Sequence, residues 1–479
     1  MASLQLKEVL RTVERRYRVG PIDAARPPAR PWSAPTALAI AIEDARVALA
    51  EHRTPSPATR HAFLDALARL IDGVLQTGTD AAFQAMVLRD RSPAVREYAS
   101  IAAHAEQDRR TVFTLVHAVA HPQKLARMQD TALKAALSGL LDACEHAQWP
   151  RVAEMAGALR CHDHVVAGSP PHLSLTKLDE SEALPRLQRL AQLAERDDVQ
   201  HYRARCAGQG PRSGSREAAV LGTAAQNRGA AVEAHAARAM QALADRLNEA
   251  TPDATGVSTP VLPWRVVTSL RVPSSLPGEA DRANTEWDVV LLQQAVTRHP
   301  EPAWAIRVLV EAKASPDAAT ADFLRLQRGI QLFASADPAL TYRFSSHEGV
   351  VCITGASLRS LGETASLGDP DASRAAQTDV VLYCANAPVD AHPRLLNATS
   401  RMQLLCAPAS LALASQIVAG QPAHADLLAP VWDALLNDPR FRNVLAQYPT
   451  LCHVREMMVH PDDLLAAVAC PSRVRPGAA

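Results

Sequence analysis

Aromatic side chains are scarce in this chain, 4% of 479 residues, although hydrophobic residues reach 48%. Alanine supplies much of that apolar total, which favours closely packed helices over a core of large side chains. An excess of charge of either sign is also missing, because 50 basic and 50 acidic residues cancel. No global field steers a polyanion, so a nucleic acid would have to be held by a local basic surface. Cys-x-x-Cys pairs are absent. The eight cysteines are scattered, and Cys352 and Cys384 stand inside apolar runs. Buried reduced thiols and a cytoplasmic location are the expectation. Lys7, Glu8, Arg11, Glu14, Arg15 and Arg16 crowd the N-terminus where a signal peptide would need an apolar core. The longest weakly polar stretch, Leu404 to Gly420, contains Pro408, Ser410, Ser415 and Gln416 and reads as a strand entering a helix. No membrane partner is expected. No Walker loop is present, which sets aside an ATP-driven helicase or clamp, and neither a Rossmann glycine fingerprint nor a Gly-x-Ser-x-Gly elbow is visible.

The length calls for two or three domains. Residues 1–33 read as a basic, proline-rich arm ending in Pro27-Pro28 and Pro31. Residues 34–206 read as an α-helical domain. Its start signals are Ser56-Pro57 and Ser92-Pro93, with helical runs over His61 to Leu75, Asp108–Ala120, Gln129–His146, Arg151–Leu159 and Glu182–Arg205. Gly78 and Thr79 end one helix and cap the next. Residues 207–216, rich in Gly, Ser and Arg, form a linker. After it come a long helix over about 217–249, strands at 265–272, 287–292 and 304–312, a helix over 319–335, and strands near 349–354 and 379–385. The first three strands form an antiparallel meander, because their connections are too short for helical crossovers. Residues 217–395 make one core, and 396–479 are an α/β extension ending in helices.

The chemistry concentrates in two apolar runs. Glu286-Trp287-Asp288-Val289-Val290-Leu291 is followed by Val308-Leu309-Val310-Glu311-Ala312-Lys313-Ala314. Alternation along a strand puts Glu311 and Lys313 on one face, roughly 6.6 Å apart. If the runs pair, Asp288 joins them. Two carboxylates and an ammonium at the end of an apolar sheet suit a divalent ion with a cation beside it, which is equipment for phosphodiester hydrolysis.

This order of elements and residues resembles the PD-(D/E)XK nuclease superfamily over roughly residues 217–385. The resemblance implies an α/β nuclease-like core, a mixed sheet flanked by helices, preceded by the mostly α-helical N-terminal domain. It maps the active site to Asp288, Glu311 and Lys313. Glu233, one turn after Gly229 in Arg228-Gly229-Ala230-Ala231-Val232-Glu233, matches a glutamate that many members carry on the preceding helix. Gln331, with Gln327 one turn earlier and Arg328, stands on the helix after the third strand, where many members carry a polar residue. Trp287 stands where the family name has proline. The implied cofactor is Mg²⁺, with Mn²⁺ able to substitute. Asp288, Glu311 and the carbonyl of Ala312 would be its ligands, with Glu233 bridging, because Mg²⁺ prefers oxygen and keeps several waters. Lys313 would orient or help deprotonate water, or neutralise the phosphorane. Gln331, Gln327, Arg328 and Arg228 would meet substrate phosphate or a water.

The expected function is a metal-dependent nuclease, acting on DNA in preference to RNA, in defence, restriction or repair. Cutting both strands would call for a homodimer, and the helical domain would serve a target, a protein partner or a second protomer. Basic residues for a polynucleotide are Arg11, Arg15, Arg16 and Arg18 in the arm and Arg203, Arg205, Arg212, Arg216 and Arg228 around the linker. Two other classes stay open: a catalytically silent interaction module, and a helical scaffold. Glu311 and Lys313 also read as a surface ion pair, Asp288 as a turn cap, and Glu233 as a solvated helix residue. His117 with His121, and Cys161-His162-Asp163-His164, are weaker candidates for a metal site, because the metalloprotease glutamate and a second Cys/His pair are missing.

Overall fold

The computed structural model describes residues 2–20, 32–76, 78–210, 215–249, 262–278, 281–296, 301–364, 370–390 and 393–470. Pro27, Pro28 and Pro31 of the expected arm and Arg212 of the expected linker lie outside the described residues. The chain forms two compact units. One comprises Met1–Leu70, Ser213–Leu404 and Leu428–Ala479, and the other Ile71–Arg212 and Leu405–Leu427. The division at 212/213 falls within the linker expected over 207–216, and the others follow Leu70, Leu404 and Leu427.

The second unit is helical. Expected caps recur in it: Ser92 accepts the amide of Val95 at 3.1 Å. Asp80, rather than Thr79, caps the helix Ala81–Arg91, through the amide of Phe83 at 3.0 Å. The run expected over Glu182–Arg205 is two helices, Ala183–Ala194 and Asp197–Ala207. The strand expected after Leu404 is absent. Helices Ala398–Leu405 and Pro408–Val418 occupy that stretch, the second opened by proline in its first turn.

The seven strands among the described residues belong to the first unit: β1 (Trp264–Arg271), β2 (Glu286–Gln294), β3 (Trp304–Ala312), β4 (Thr341–Ser346), β5 (Gly349–Thr354), β6 (Val381–Cys384) and β7 (Met458–Val459). The expected antiparallel meander is present, from β1 through β2 to β3. The expected flat mixed sheet flanked by helices is not. The order β2-β1-β4-β5-β3 closes on itself through the β2–β3 pairing into a five-stranded mixed barrel, with β6 and β7 continuing from β3. Two features account for the closure. Strand β4, absent from the sequence reading, forms a hairpin with β5 and so places a strand between β1 and the start of β3. The closing contacts are single pairs, Arg271 with Ser345 and Trp304 with Ile353. The strands also bend. Ser269 takes a left-handed φ of 49° where the β1–β2 ladder lacks one pair without changing register, and the β2–β3 register shifts between Leu291 and Leu292. Such a bulge adds the twist that curls a sheet.

Strand alternation buries both faces. Val289, Leu291, Val308 and Val310 join Leu243 and Leu247 of the long helix Arg216–Glu249, and also Leu6, Val9 and Leu10 of the N-terminal helix Ala2–Thr12. The first residues of the expected arm are thus a packed helix. Val290, Leu292 and Leu309 join Phe323, Leu326 and Ile330 of the helix Pro316–Phe333. No helix among the described residues is long and apolar enough to cross a membrane.

Candidate active site

The candidate site lies in the first unit where β2 and β3 part, β2 staying beside β1 as far as Glu286. The last β2–β3 pair at this end is Val289 with Val310, while β3 continues beside β6 through the pairs Glu311–Tyr383 and Ala312–Cys384. The amide of Ala312 therefore lacks a β2 carbonyl, and the Asp288 side chain supplies the acceptor, Oδ2 at 2.7 Å. A buried amide needs such a partner.

Glu311 is 1% exposed. Its Oε1 accepts the side-chain amide of Asn284 at 2.5 Å and its Oε2 accepts from Lys313 Nζ at 3.1 Å. Lys313 Nζ also lies 3.0 Å from Asp322 Oδ2, so the ammonium bridges two carboxylates. The second oxygen of Asp322 accepts from Arg325 Nε at 2.7 Å. Glu311, Lys313, Asp322 and Arg325 thus form one chain of ion pairs from a buried strand end to the surface.

Burial, then the negative charge of Asp288, pushes the Glu311 carboxyl up to about 8 against the pull of Lys313. Burial also raises Asp288 to about 6, opposed by the Ala312 amide and assisted by the charge of Glu233. For Lys313, burial acts downward but is outweighed by Glu311 and Asp322, and its pKa rises. Tyr383, the register partner of Glu311, is fully buried, and its hydroxyl has no hydrogen-bond partner among the described residues. Burial, then the charges of Asp322 and Glu311, keeps that phenol protonated far above its ordinary range.

Asp288, Ala312, Glu311 and Lys313 are thus brought together, Ala312 through its amide. Glu233, half-buried on the long helix, is within electrostatic reach of Asp288. Gln331, Gln327, Arg328 and Arg228 have no hydrogen bond or ion pair with these groups among the described residues. Gln331, Arg328 and Arg228 are exposed, and Gln327 is half-buried. At about 100° per residue, Gln331 points roughly 180° away from Asp322 around their common helix. The residues of that helix that reach the site are Asp322 and Arg325. Its apolar stripe Ala319, Phe323, Leu326, Ile330 and Phe333 carried the signal, because it sets the helix phase. Asn284 and Tyr383 carried no comparable signal.

Among the described residues no three His, Cys, Asp or Glu side chains are gathered as a metal cage. His117 and His121, with rings 5.5 Å apart, make no such group, and neither do His162 and His164, the latter paired with Asp130. What Asp288 and Glu311 offer is different: two hard oxygen donors, both destabilised as anions by burial and by negative neighbours. That pair fits an ion that keeps most of its waters, not a closed all-protein site. Comparisons with protein-family models, curated proteins and solved structures give no match to this chain.

Proposed function

We propose that the Asp288–Glu311–Lys313 centre hydrolyses phosphodiester bonds in nucleic acid with the help of Mg²⁺ or Mn²⁺, DNA being the favoured polymer. The observation that carries this reading is the convergence of Asp288, Glu311 and Lys313, linked by the Ala312 amide and the 3.1 Å ion pair. With Asp322 and Glu233 nearby, the anionic groups outnumber Lys313 and Arg325. An excess of buried carboxylates is what a divalent cation relieves. Asp288 and Glu311 would hold the ion, which when bound acidifies water and withdraws charge from phosphate.

The chain's own groups supply the rest. Asn284 fixes the rotamer of Glu311 by occupying one oxygen. Asp322 holds the Lys313 ammonium at the carboxylate pair, where it stabilises negative charge developing on phosphate oxygens. The apolar residues behind the site keep the dielectric low, which strengthens each of these interactions. A cytoplasmic nuclease of defence, restriction or repair agrees with these parts, and a homodimer would allow both strands to be cut.

One observation favours a second reading, a nucleic-acid or protein interaction module without turnover. Both oxygens of Glu311 already have protein partners, so the group is satisfied as a structural element. One experiment separates the two. Wild type, Asp288→Ala and Lys313→Ala are incubated with plasmid, single-stranded DNA and RNA, in Mg²⁺, Mn²⁺ or EDTA. The nuclease reading expects cleavage by wild type that EDTA abolishes and that each substitution lowers by roughly 100-fold or more. Equal cleavage by all three proteins would mark a contaminant. Binding without cleavage would select the module.

A further inference from the structure

We propose that Arg325 is the group that grips the nucleic-acid backbone at this site, held in place for that task by Asp322. The inference rests on the nuclease reading and names the residue that meets a non-bridging phosphate oxygen of the substrate.

Arg325 stands at the outer end of the ion-pair chain. Its Nε donates to Asp322 Oδ1 at 2.7 Å, and its side chain is 49% exposed. Among the described residues, its two terminal amines have no acceptor within hydrogen-bond distance. The guanidinium is therefore anchored at one edge and open at the other, where its planar fork matches two phosphate oxygens. Asp288 and Glu311 are within electrostatic reach of the guanidinium, which places it near the catalytic carboxylates.

The bland alternative is an ordinary surface pair at i and i+3, which contributes little. Two observations argue against it. Asp322 is only 15% exposed and also pairs with Lys313 at 3.0 Å, so its contact with Arg325 joins the guanidinium to the buried centre and is not an isolated surface pair. The anionic excess at the centre would also repel a polyanion, and an exposed, pre-oriented cation at the rim offsets that repulsion. Arg328 and Gln331, further along the same helix, lack any such anchor in the site.

The test measures binding of a labelled DNA duplex by fluorescence anisotropy, with Ca²⁺ replacing Mg²⁺, over a range of salt. It compares wild type, Arg325→Ala, Arg325→Lys, Asp322→Asn and Arg359→Ala. The last removes a control arginine of matching exposure, paired with Glu363 on another helix. Arg325→Ala should weaken binding about ten-fold and reduce the slope of log K against log salt by about 0.9, the value of one phosphate contact. Arg325→Lys should restore the slope and only part of the affinity. Asp322→Asn should weaken binding in the same direction by releasing the anchor, and Arg359→Ala should do neither. In turnover, Arg325→Ala should raise KM more than it lowers kcat. Wild-type affinity and slope in Arg325→Ala, beside active wild-type cleavage, would overturn the assignment and leave the nuclease reading intact. Absence of both binding and cleavage in wild type would overturn the two together.

Discussion

Asn284 donates its side-chain amide to Glu311, Nδ2 to Oε1 at 2.5 Å, from the loop just ahead of β2. The loop is pinned against the helix Pro316–Phe333. The Asn284 backbone N–H donates to the Arg325 backbone carbonyl at 2.9 Å, and a Cβ on Gly329 would fall 2.6 Å from the Asn284 backbone carbonyl oxygen. Gly329 is therefore the clearance that lets Asn284 reach Glu311. Gly329→Ala should destabilise the protein by about 1–3 kcal/mol, the usual cost of overpacking against backbone. It should also lower cleavage by displacing Asn284. Urea unfolding and the plasmid assay check the two effects, and an unchanged unfolding midpoint would contradict the packing argument.

The two raised carboxyls give the ion-free protein a pH signature. Glu311 titrates at about 8 when folded, against an ordinary value of about 4.3. Between those values the folded state holds a proton that the unfolded chain has released, so stability falls as pH rises. Asp288 acts in the same sense, but its window closes at about 6. His453 acts oppositely. Burial, then Arg374, depresses it to about 4, so it adds stability as pH climbs through the ordinary histidine range, and that gain is complete above about 6.5. Of these three groups, Glu311 is the one that titrates between about pH 6.5 and 8. In EDTA, wild type should lose stability across that interval while Glu311→Gln does so much less. Parallel urea-midpoint curves for the two proteins would refute the linkage.

Much of this centre is legible in the sequence because strands and helices announce their period. The apolar runs around Asp288 and Glu311 fix β2 and β3, and the two-residue spacing of Glu311 and Lys313 fixes their shared face. Closure of the sheet is not legible. It depends on single pairs between residues far apart in the chain, Arg271 with Ser345 and Trp304 with Ile353, and on a β4 whose exposed residues alternate with only two buried aromatics, Tyr342 and Phe344. The loop position of Asn284 is equally silent, since nothing local to Asn284 specifies a glycine 45 residues later. The contribution of the Pro316–Phe333 helix is legible in its phase: the apolar stripe turns Asp322 and Arg325 toward the site, whereas element order alone points to Gln331.

That phase makes a direct prediction for Gln331. It is exposed, and its side chain points away from Asp322 and Lys313. Gln331→Ala should leave cleavage unchanged and shift stability by no more than about 0.5 kcal/mol, as surface substitutions do. Loss of activity in this variant, measured beside Asp322→Ala, would require the helix to present a different face in the working enzyme.

Metal binding should be visible in stability before any substrate is added. An ion held by Asp288 and Glu311 in the folded state alone stabilises that state by mass action, about 2.7 kcal/mol at a concentration 100 times the dissociation constant. The gain should be larger near neutral pH than in acid, because the ion must displace the proton that burial and Asp288 keep on Glu311. Thermal melts of wild type should therefore rise with added Mg²⁺ and return on chelation. Asp288→Asn and Glu311→Gln should melt at a temperature independent of Mg²⁺, since each removes one of two anionic donors. A Mg²⁺-dependent shift of equal size in wild type and Glu311→Gln would move the ion elsewhere on the chain, and the site would then be a polar core and not a metal centre.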